Sequence, residues 1–235
     1  VGWAWDAGTS TASNTDGDIT SQVRASQTAG MSVVSYTGSG STATVGHGLN
    51  AALDFVIIKR RNSTGQWRSW HSALSNTQGI DLNSTSAAFT DDSFNNTIPT
   101  SSVFTVKGGV ANVNASGSTY IAYCFSAVAS YSAFGEYSGN SSTDGVFVHT
   151  GFRPAWLMVK STNATGSWSI FDNKRDPFNV MDRFLFAEQN FAEQDSDTVD
   201  FLSNGFKFRT GGGDHNYSGR DYLYLAFAEN PFQAN

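Results

Sequence analysis

Asp172, Lys174, Arg175 and Asp176 lie within five consecutive residues of a chain in which only 14% of positions are charged. An average globular domain carries about 25%. The equivalent stretch one repeat earlier (the repeat is derived below), His71-Ser72-Ala73-Leu74-Ser75, is almost neutral. A charged loop in one copy only marks either a task that the other copy lacks or a loop held by its own ion pairs. Carbohydrate binders set aromatic rings beside Asp, Asn and Arg, because a sugar shows an apolar C–H face and a hydroxyl rim. Trp67, Arg68, Trp70 and His71 offer such groups in the first half, and Trp168 with Asp172, Lys174 and Arg175 in the second. Trp67 and Trp168 occupy equivalent positions, as do Trp70 and Phe171, which favours core packing for these rings. The glycan or receptor contact candidates are therefore Asp172, Lys174, Arg175 and Asp176, with Trp70 and His71.

Other chemistry is thinly represented. Glu188 and Glu193 stand five apart, followed by Asp195, Asp197 and Asp200. A glycosidase needs two carboxylates across a cleft, and an acidic solvated loop is the plainer reading. There is no Gly-x-Ser-x-Gly elbow, and the four histidines, His47, His71, His149 and His215, show no His-x-x-x-His pair or thiolate partner for zinc. Asn14-Thr15-Asp16-Gly17-Asp18 and Gly213-Asp214-His215-Asn216 bring hard oxygen ligands to Gly-bearing loops, which makes Asp16, Asp18 and Asp214 weak calcium candidates. Neither stretch follows the twelve-residue calcium-loop pattern, and plain turns explain both. No cofactor is expected. Gly211-Gly212-Gly213 is followed by no Lys-Ser/Thr and is no phosphate cradle. Cys124, the single cysteine, sits in Tyr120-Ile121-Ala122-Tyr123-Cys124-Phe125 and reads as a core residue of a strand. Seven Asn-x-Ser/Thr triplets, including those at Asn114, Asn140 and Asn216, are expected from composition.

The elements that must position these groups come from an internal repeat. Asn62-Ser63-Thr64-Gly65-Gln66-Trp67 recurs as Asn163-Ala164-Thr165-Gly166-Ser167-Trp168, Tyr36-Thr37-Gly38 as Tyr137-Ser138-Gly139, and Phe55-Val56-Ile57-Ile58-Lys59 as Trp156-Leu157-Met158-Val159-Lys160, all displaced by 101. Phe104, Gly117 and Phe125 recur as Phe206, Gly219 and Phe227, displaced by 102. The organisation predicted is a β-rich lead-in over 1–31, a first repeat over 32–127, a joint at 128–131 and a second repeat over 132–235. Apolar runs of about five residues, closed by Asn-x-Thr-Gly or Gly-Gly, are strand and hairpin signals. Ser, Thr, Asn and Gly together make 94 of 235 residues and favour strand faces and turns over helix interiors. The fold class predicted is all-β, two tandem sandwich or jelly-roll-like halves related by a pseudo-twofold. Met181–Asn190 is the one stretch that could hold a short helix.

A net charge of −6 with no basic stripe leaves nucleic-acid binding without its usual counterion-release source, and no apolar run reaches the roughly 18 residues of a membrane span. The chain opens at Val1 inside an aromatic strand-like motif, which reads as a piece of a longer chain or a processed product.

Several blocks carry a resemblance. Thr28-Ala29-Gly30-Met31-Ser32-Val33-Val34-Ser35-Tyr36-Thr37-Gly38, Val45-Gly46-His47-Gly48-Leu49, Thr150-Gly151-Phe152-Arg153-Pro154-Ala155, Asp172-Asn173-Lys174-Arg175-Asp176-Pro177-Phe178-Asn179, Asp200-Phe201-Leu202-Ser203-Asn204-Gly205 and Ala226-Phe227-Ala228-Glu229-Asn230-Pro231-Phe232 resemble a domain common in tail-fibre and tail-associated proteins of marine phages. The resemblance spans nearly the whole chain. It departs at Leu53-Asp54, where relatives usually have a proline. It implies a non-enzymatic virion-surface protein for structural display and host-surface attachment. Its partners would be other virion proteins and a host glycan or receptor. The alternatives are a purely structural fibre, collar or capsid-decoration module, and a glycan depolymerase. Phage fibres are usually homo-oligomers, often trimers. Low charge and abundant aromatics suit such subunit contacts, and without heptads they would form through β faces or edges.

Overall fold

The computed structural model describes residues 2–196 and 198–231. Asp197 and Phe232, named above in the acidic stretch and at the end of the second repeat, lie outside the described residues. The chain forms two compact units, an N-terminal one from residues 3–82 and 88–127, and a C-terminal one from residue 128 onward together with 83–87. The lead-in thus folds into the first unit, and five residues of the first repeat belong to the second.

The N-terminal unit contains β1 (Thr11–Asn14), β2 (Ser21–Ser26), β3 (Met31–Thr37), β4 (Ala43–Gly46), β5 (Phe55–Arg60), β6 (Trp67–His71), β7 (Gln78–Asp81), β8 (Phe89–Thr90), β9 (Val103–Val106) and β10 (Thr119–Phe125). The C-terminal unit contains β11 (Ser132–Ser138), β12 (Phe147–His149), β13 (Pro154–Ser161), β14 (Ser169–Asp172), β15 (Phe184–Phe186), β16 (Val199–Leu202), β17 (Gly205–Phe208) and β18 (Asp221–Ala228). Every strand pairing is antiparallel, and the fold is all-β, with two sandwich-like regions. No helix forms over 181–190. Met181 bridges Val199 and the chain runs on into β15, because Phe184 and Met181 are drawn into the core as strand residues.

The repeat is a repeat of topology. The order β3-β10-β5-β6-β7 in the first unit recurs as β11-β18-β13-β14-β15 in the second, and the pair β4-β9 recurs as β12-β17. The apolar runs Phe55–Lys59 and Trp156–Lys160 hold the same place in their sheets. The first unit's large sheet reaches eight strands because β1 and β2 of the lead-in add beyond β3, and β8 adds beyond β7. β5, β13 and β18 are buried along most of their length, which is why they read as continuous apolar runs rather than alternating ones.

The repeated short motifs have one structural meaning. Tyr36 and Tyr120 face each other across β3 and β10, with rings stacked 5.2 Å apart. Tyr137 and Tyr222 do the same at 5.0 Å. Tyr36 donates its hydroxyl to Val113 O and Tyr137 donates to His215 O, both at 2.8 Å. The residue that follows each acceptor is a fully buried asparagine, Asn114 or Asn216. Asn114 Oδ1 accepts the Ser39 N–H at 2.8 Å, and Asn216 Oδ1 accepts the Asn140 N–H at 3.0 Å. The glycine of Tyr-x-Gly is required where this loop crosses. A Cβ on Gly38 would lie 2.4 Å from Ala115 O, and one on Gly139 2.3 Å from Tyr217 O. Each tyrosine–asparagine clasp thereby ties the large sheet to the loop entering its last strand.

Cys124 is fully buried in β10, and burial pushes its thiol far above the ordinary value. It should stay unlabelled by a thiol reagent under native conditions and react only in denaturant. Rapid native labelling would contradict the placement of β10.

Candidate functional site

The charged loop follows β14. Asp172, the last residue of that strand, is buried, and the turn after it folds over its carboxylate. Asp172 Oδ1 accepts the N–H groups of Lys174 at 3.1 Å and Arg175 at 2.9 Å. Its Oδ2 meets Arg175 Nε at 3.0 Å and Nη2 at 2.9 Å. The remaining guanidinium nitrogen, Arg175 Nη1, reaches Glu193 Oε2 at 3.3 Å. The Arg175 and Asp172 side chains are only 7% and 2% exposed, so the Asp172–Arg175 pair is shielded from water and matters more than a surface salt bridge. Asp176 Oδ2 accepts the N–H groups of Asp182 and Arg183, at 2.9 and 2.8 Å. Lys174 is exposed. Nearby, Glu229 holds Asn173 through one carboxylate oxygen at 2.7 Å and Arg153 through the other at 3.1 Å.

The four charged candidates of this loop are therefore together, but three of them serve the loop itself. What they present is apolar. The Arg175–Glu193 contact fixes the 174–180 loop alongside the 187–193 loop, and each carries an exposed aromatic. Phe178 is 80% and Phe191 62% exposed, with Val180 at 50%. The Phe191 ring rests edge-on at 6.4 Å from Phe186, at the rim of the core. Sequence reasoning passed over both phenylalanines, because an isolated Phe among charged and amide residues carries no mark of which way it faces. Only exposure in the folded chain separates these from the phenylalanines of the core.

Trp70 and His71 are withdrawn from any contact surface. Both are buried in β6. Trp70 Nε1 donates to Ser75 O at 3.3 Å, and His71 Nδ1 accepts the Ala73 N–H at 3.0 Å. Trp168 is fully buried and Trp67 half-buried, in line with the core reading of that pair. Arg68, their neighbour, is also internal. It binds Asp81 at 3.0 Å and Asp91 at 2.9 Å and lies 4.7 Å from the Phe89 ring centre.

Several of the acidic residues are engaged singly. Glu188 Oε2 accepts the Trp168 N–H at 3.1 Å, Glu193 faces Arg175, and Asp200 accepts from Arg209 Nε at 2.6 Å. Asp16 bonds the Asn14 amide at 2.8 Å. Asp18 accepts the Thr44 N–H and hydroxyl, which hold its carboxyl below the usual value. Asp214, in the other unit, accepts the Ser167 N–H at 3.1 Å. Among the described residues no group of three or more His, Cys, Asp or Glu is gathered to hold a metal ion.

Lys160 is a further buried ion that sequence reasoning missed. It ends an apolar run, where a lysine usually extends its head to water, yet it is fully buried. Its Nζ donates to Ser161 O at 2.8 Å and to Thr85 O at 3.4 Å. Burial pulls its pKa down to about 8 against the opposing pull of Glu188 and Asp214.

A family model described as a domain of unknown function, DUF7483, matches residues 1–231. The chain belongs to that family. No curated protein and no solved structure matches it. The DUF7483 match runs through both units and the lead-in. Among the described residues no helix is long and apolar enough to cross a membrane.

Proposed function

We propose that this chain is a non-enzymatic virion-surface protein, a distal tail-fibre or related appendage domain that displays a contact surface for a host glycan or receptor. One observation carries the reading. Arg175, buried against Asp172, reaches Glu193 and so links two loops, and both loops present an exposed phenylalanine, Phe178 and Phe191. Exposed rings rimmed by polar groups are what a contact site requires, and fixing the loops beforehand lowers the ordering cost of binding. The resemblance to phage tail proteins and the neutral, hydroxyl-rich composition support the same assignment. Homo-oligomerisation, with a trimer as first choice, goes with it, since a charge content of 14% opposes close subunit packing only weakly.

The test is binding of the full chain to a glycan array and to whole bacterial cells. The pair Phe178→Asp and Phe191→Asp should weaken binding by about tenfold or more. Exposed positions tolerate such changes, so unfolding should shift by no more than ~0.5 kcal/mol. Undiminished binding by the double variant would remove this surface from the reading. Wild-type protein that binds only other virion proteins would make it a structural module, and release of sugar fragments would make it a depolymerase.

A further inference from the structure

The outward face of the N-terminal sheet, across β1, β2, β3 and β10, carries two exposed arginines. Strand register sets Thr11, Arg24 and Val33 in one row, and Gln22, Ser35 and Ile121 in the next. The alternate residues Val23, Val34 and Ala122 are buried, so both rows point away from the core. Together with Arg61 they line a groove of about 350 Å³, within the ~300–1,000 Å³ typical of small-ligand sites. Arg61 directly follows β5, and its N–H bonds Thr119 O at 2.8 Å, which sets it beside the start of β10. A second groove of about 190 Å³ shares Gln22, Ser35 and Arg61 with the first and adds the hydroxyls of Thr20, Thr37 and Thr119.

Both guanidinium groups have nitrogens to offer. Arg24 Nε donates to Gly8 O at 2.7 Å, which fixes that group in place. Its two terminal nitrogens bond nothing among the described residues, and neither does the Arg61 side chain. No aspartate or glutamate lines either groove among the described residues. The repeat supplies a comparison. Arg61 is replaced by Thr162, whose N–H bonds Asp221 O at the same 2.8 Å. Ser35 and Thr119 are replaced by Glu136 and Asp221, which line the corresponding groove of the C-terminal unit. Equivalent places on one scaffold thus carry positive charge in the first unit and negative charge in the second.

We infer that this face of the N-terminal unit is a binding site for an acidic saccharide, whose carboxylate or sulfate groups are held by Arg24 and Arg61. Guanidinium groups meet such anions through paired, charge-assisted hydrogen bonds. The hydroxyl and amide groups of Thr11, Gln22 and Ser35 suit sugar hydroxyls, and Val33 and Ile121 offer an aliphatic floor to the C–H face of a ring. Nucleic acid fits less well. No aromatic ring lines the larger groove for a base to stack on, and a chain of net charge −6 repels a long polyanion. This site lies in the other unit from Phe178 and Phe191 and does not rest on that surface.

The probes are fluorescently labelled tetragalacturonate, sulfated maltotetraose and uncharged maltotetraose, each titrated into the full chain and followed by anisotropy. Saturable binding of at least one acidic probe is expected, and the one that binds names the anion. Binding should weaken as salt rises from about 50 to about 500 mM, because the arginines are exposed and screened. Arg61→Gln should weaken it by about tenfold, the scale of losing hydrogen bonds to a charged group. Arg61→Lys, which keeps the charge but not the planar fork, should lose less. Ser35→Glu, which installs the residue of the second unit, should abolish binding. All three positions lie on the surface, so the unfolding midpoint should hardly move. The Phe178→Asp and Phe191→Asp double variant should bind the acidic probe normally, which separates this site from the phenylalanine surface. No saturable binding of either acidic probe at millimolar concentration, equal affinity for uncharged maltotetraose, or unchanged binding by folded Arg61→Gln and Ser35→Glu would each overturn the inference. So would loss of binding in the phenylalanine double variant, or tighter binding of oligothymidylate than of either acidic saccharide.

Discussion

Replacing Arg68 with methionine is expected to lower stability by about 3–5 kcal/mol, the range for removing one partner of a buried ion cluster. Arg68 bridges two carboxylates, Asp81 and Asp91, in side chains all about a tenth exposed or less. Methionine fills much of the space of the arginine stem but leaves both carboxylates without their cation in a dry site. The defect should depend on pH in a set direction. Burial already raises the Asp81 carboxyl above its ordinary value, although Arg68 opposes this. Without Arg68 it rises further. A carboxyl whose folded pKa is raised contributes stability below its unfolded pKa and loses that contribution as pH rises through the folded value. Arg68→Met should therefore be more nearly normal at pH 5 than at pH 8. Adding Asp81→Asn and Asp91→Asn should restore part of the loss. Urea titrations at the two pH values check this; a deficit under ~1 kcal/mol at pH 8 would show that the carboxylates are not isolated from water.

Asn216→Ala is expected to cost about 2–4 kcal/mol, from several hydrogen bonds lost at once in a fully buried site. The amide nitrogen of Asn216 lies 2.9 Å from Ser142 O, 2.9 Å from Thr210 O and 3.0 Å from Asn140 Oδ1, while its oxygen accepts the Asn140 N–H. Alanine would leave these groups buried and unpaired. Asn114→Ala should behave alike in the first unit, where the amide serves Ser41 O at 2.7 Å and Ser39 N–H. Exchange of the Asn140 amide should accelerate in Asn216→Ala well beyond the global change in stability. A loss below ~1 kcal/mol for both variants would mean that the clasps are ornamental to the fold.

The clasps show how far the repeat could be read before folding. Tyr36-Thr37-Gly38 and Tyr137-Ser138-Gly139 were recognisable as one repeated motif, and folding places them at the ends of β3 and β11. Asn114 and Asn216 head Asn-x-Ser/Thr triplets and looked compositional, because the carbonyls and amides they serve lie up to 76 positions away. The same limit applies to Lys160, whose carbonyl partner Thr85 is 75 positions distant, and to Arg68, whose two aspartates lie on later segments.

Local pattern alone determined the strand class, the repeat of 101–102 residues and the burial of Cys124, since strand periodicity, turn residues and apolar runs are properties of neighbours in the chain. It also marked Asp172–Asp176 as a loop unlike its counterpart. Tertiary structure alone decided what that loop does. Asp172 and Arg175 turned inward to each other and to Glu193, and the exposed groups became Phe178 and Phe191. The edge at β11 was likewise decided only by folding. The lead-in adds its strands beyond β3 in one unit, while β11 is the last described strand of its sheet in the other, a difference in backbone partners that side-chain pattern does not encode, because every strand carries the same N–H and C=O groups whatever its sequence.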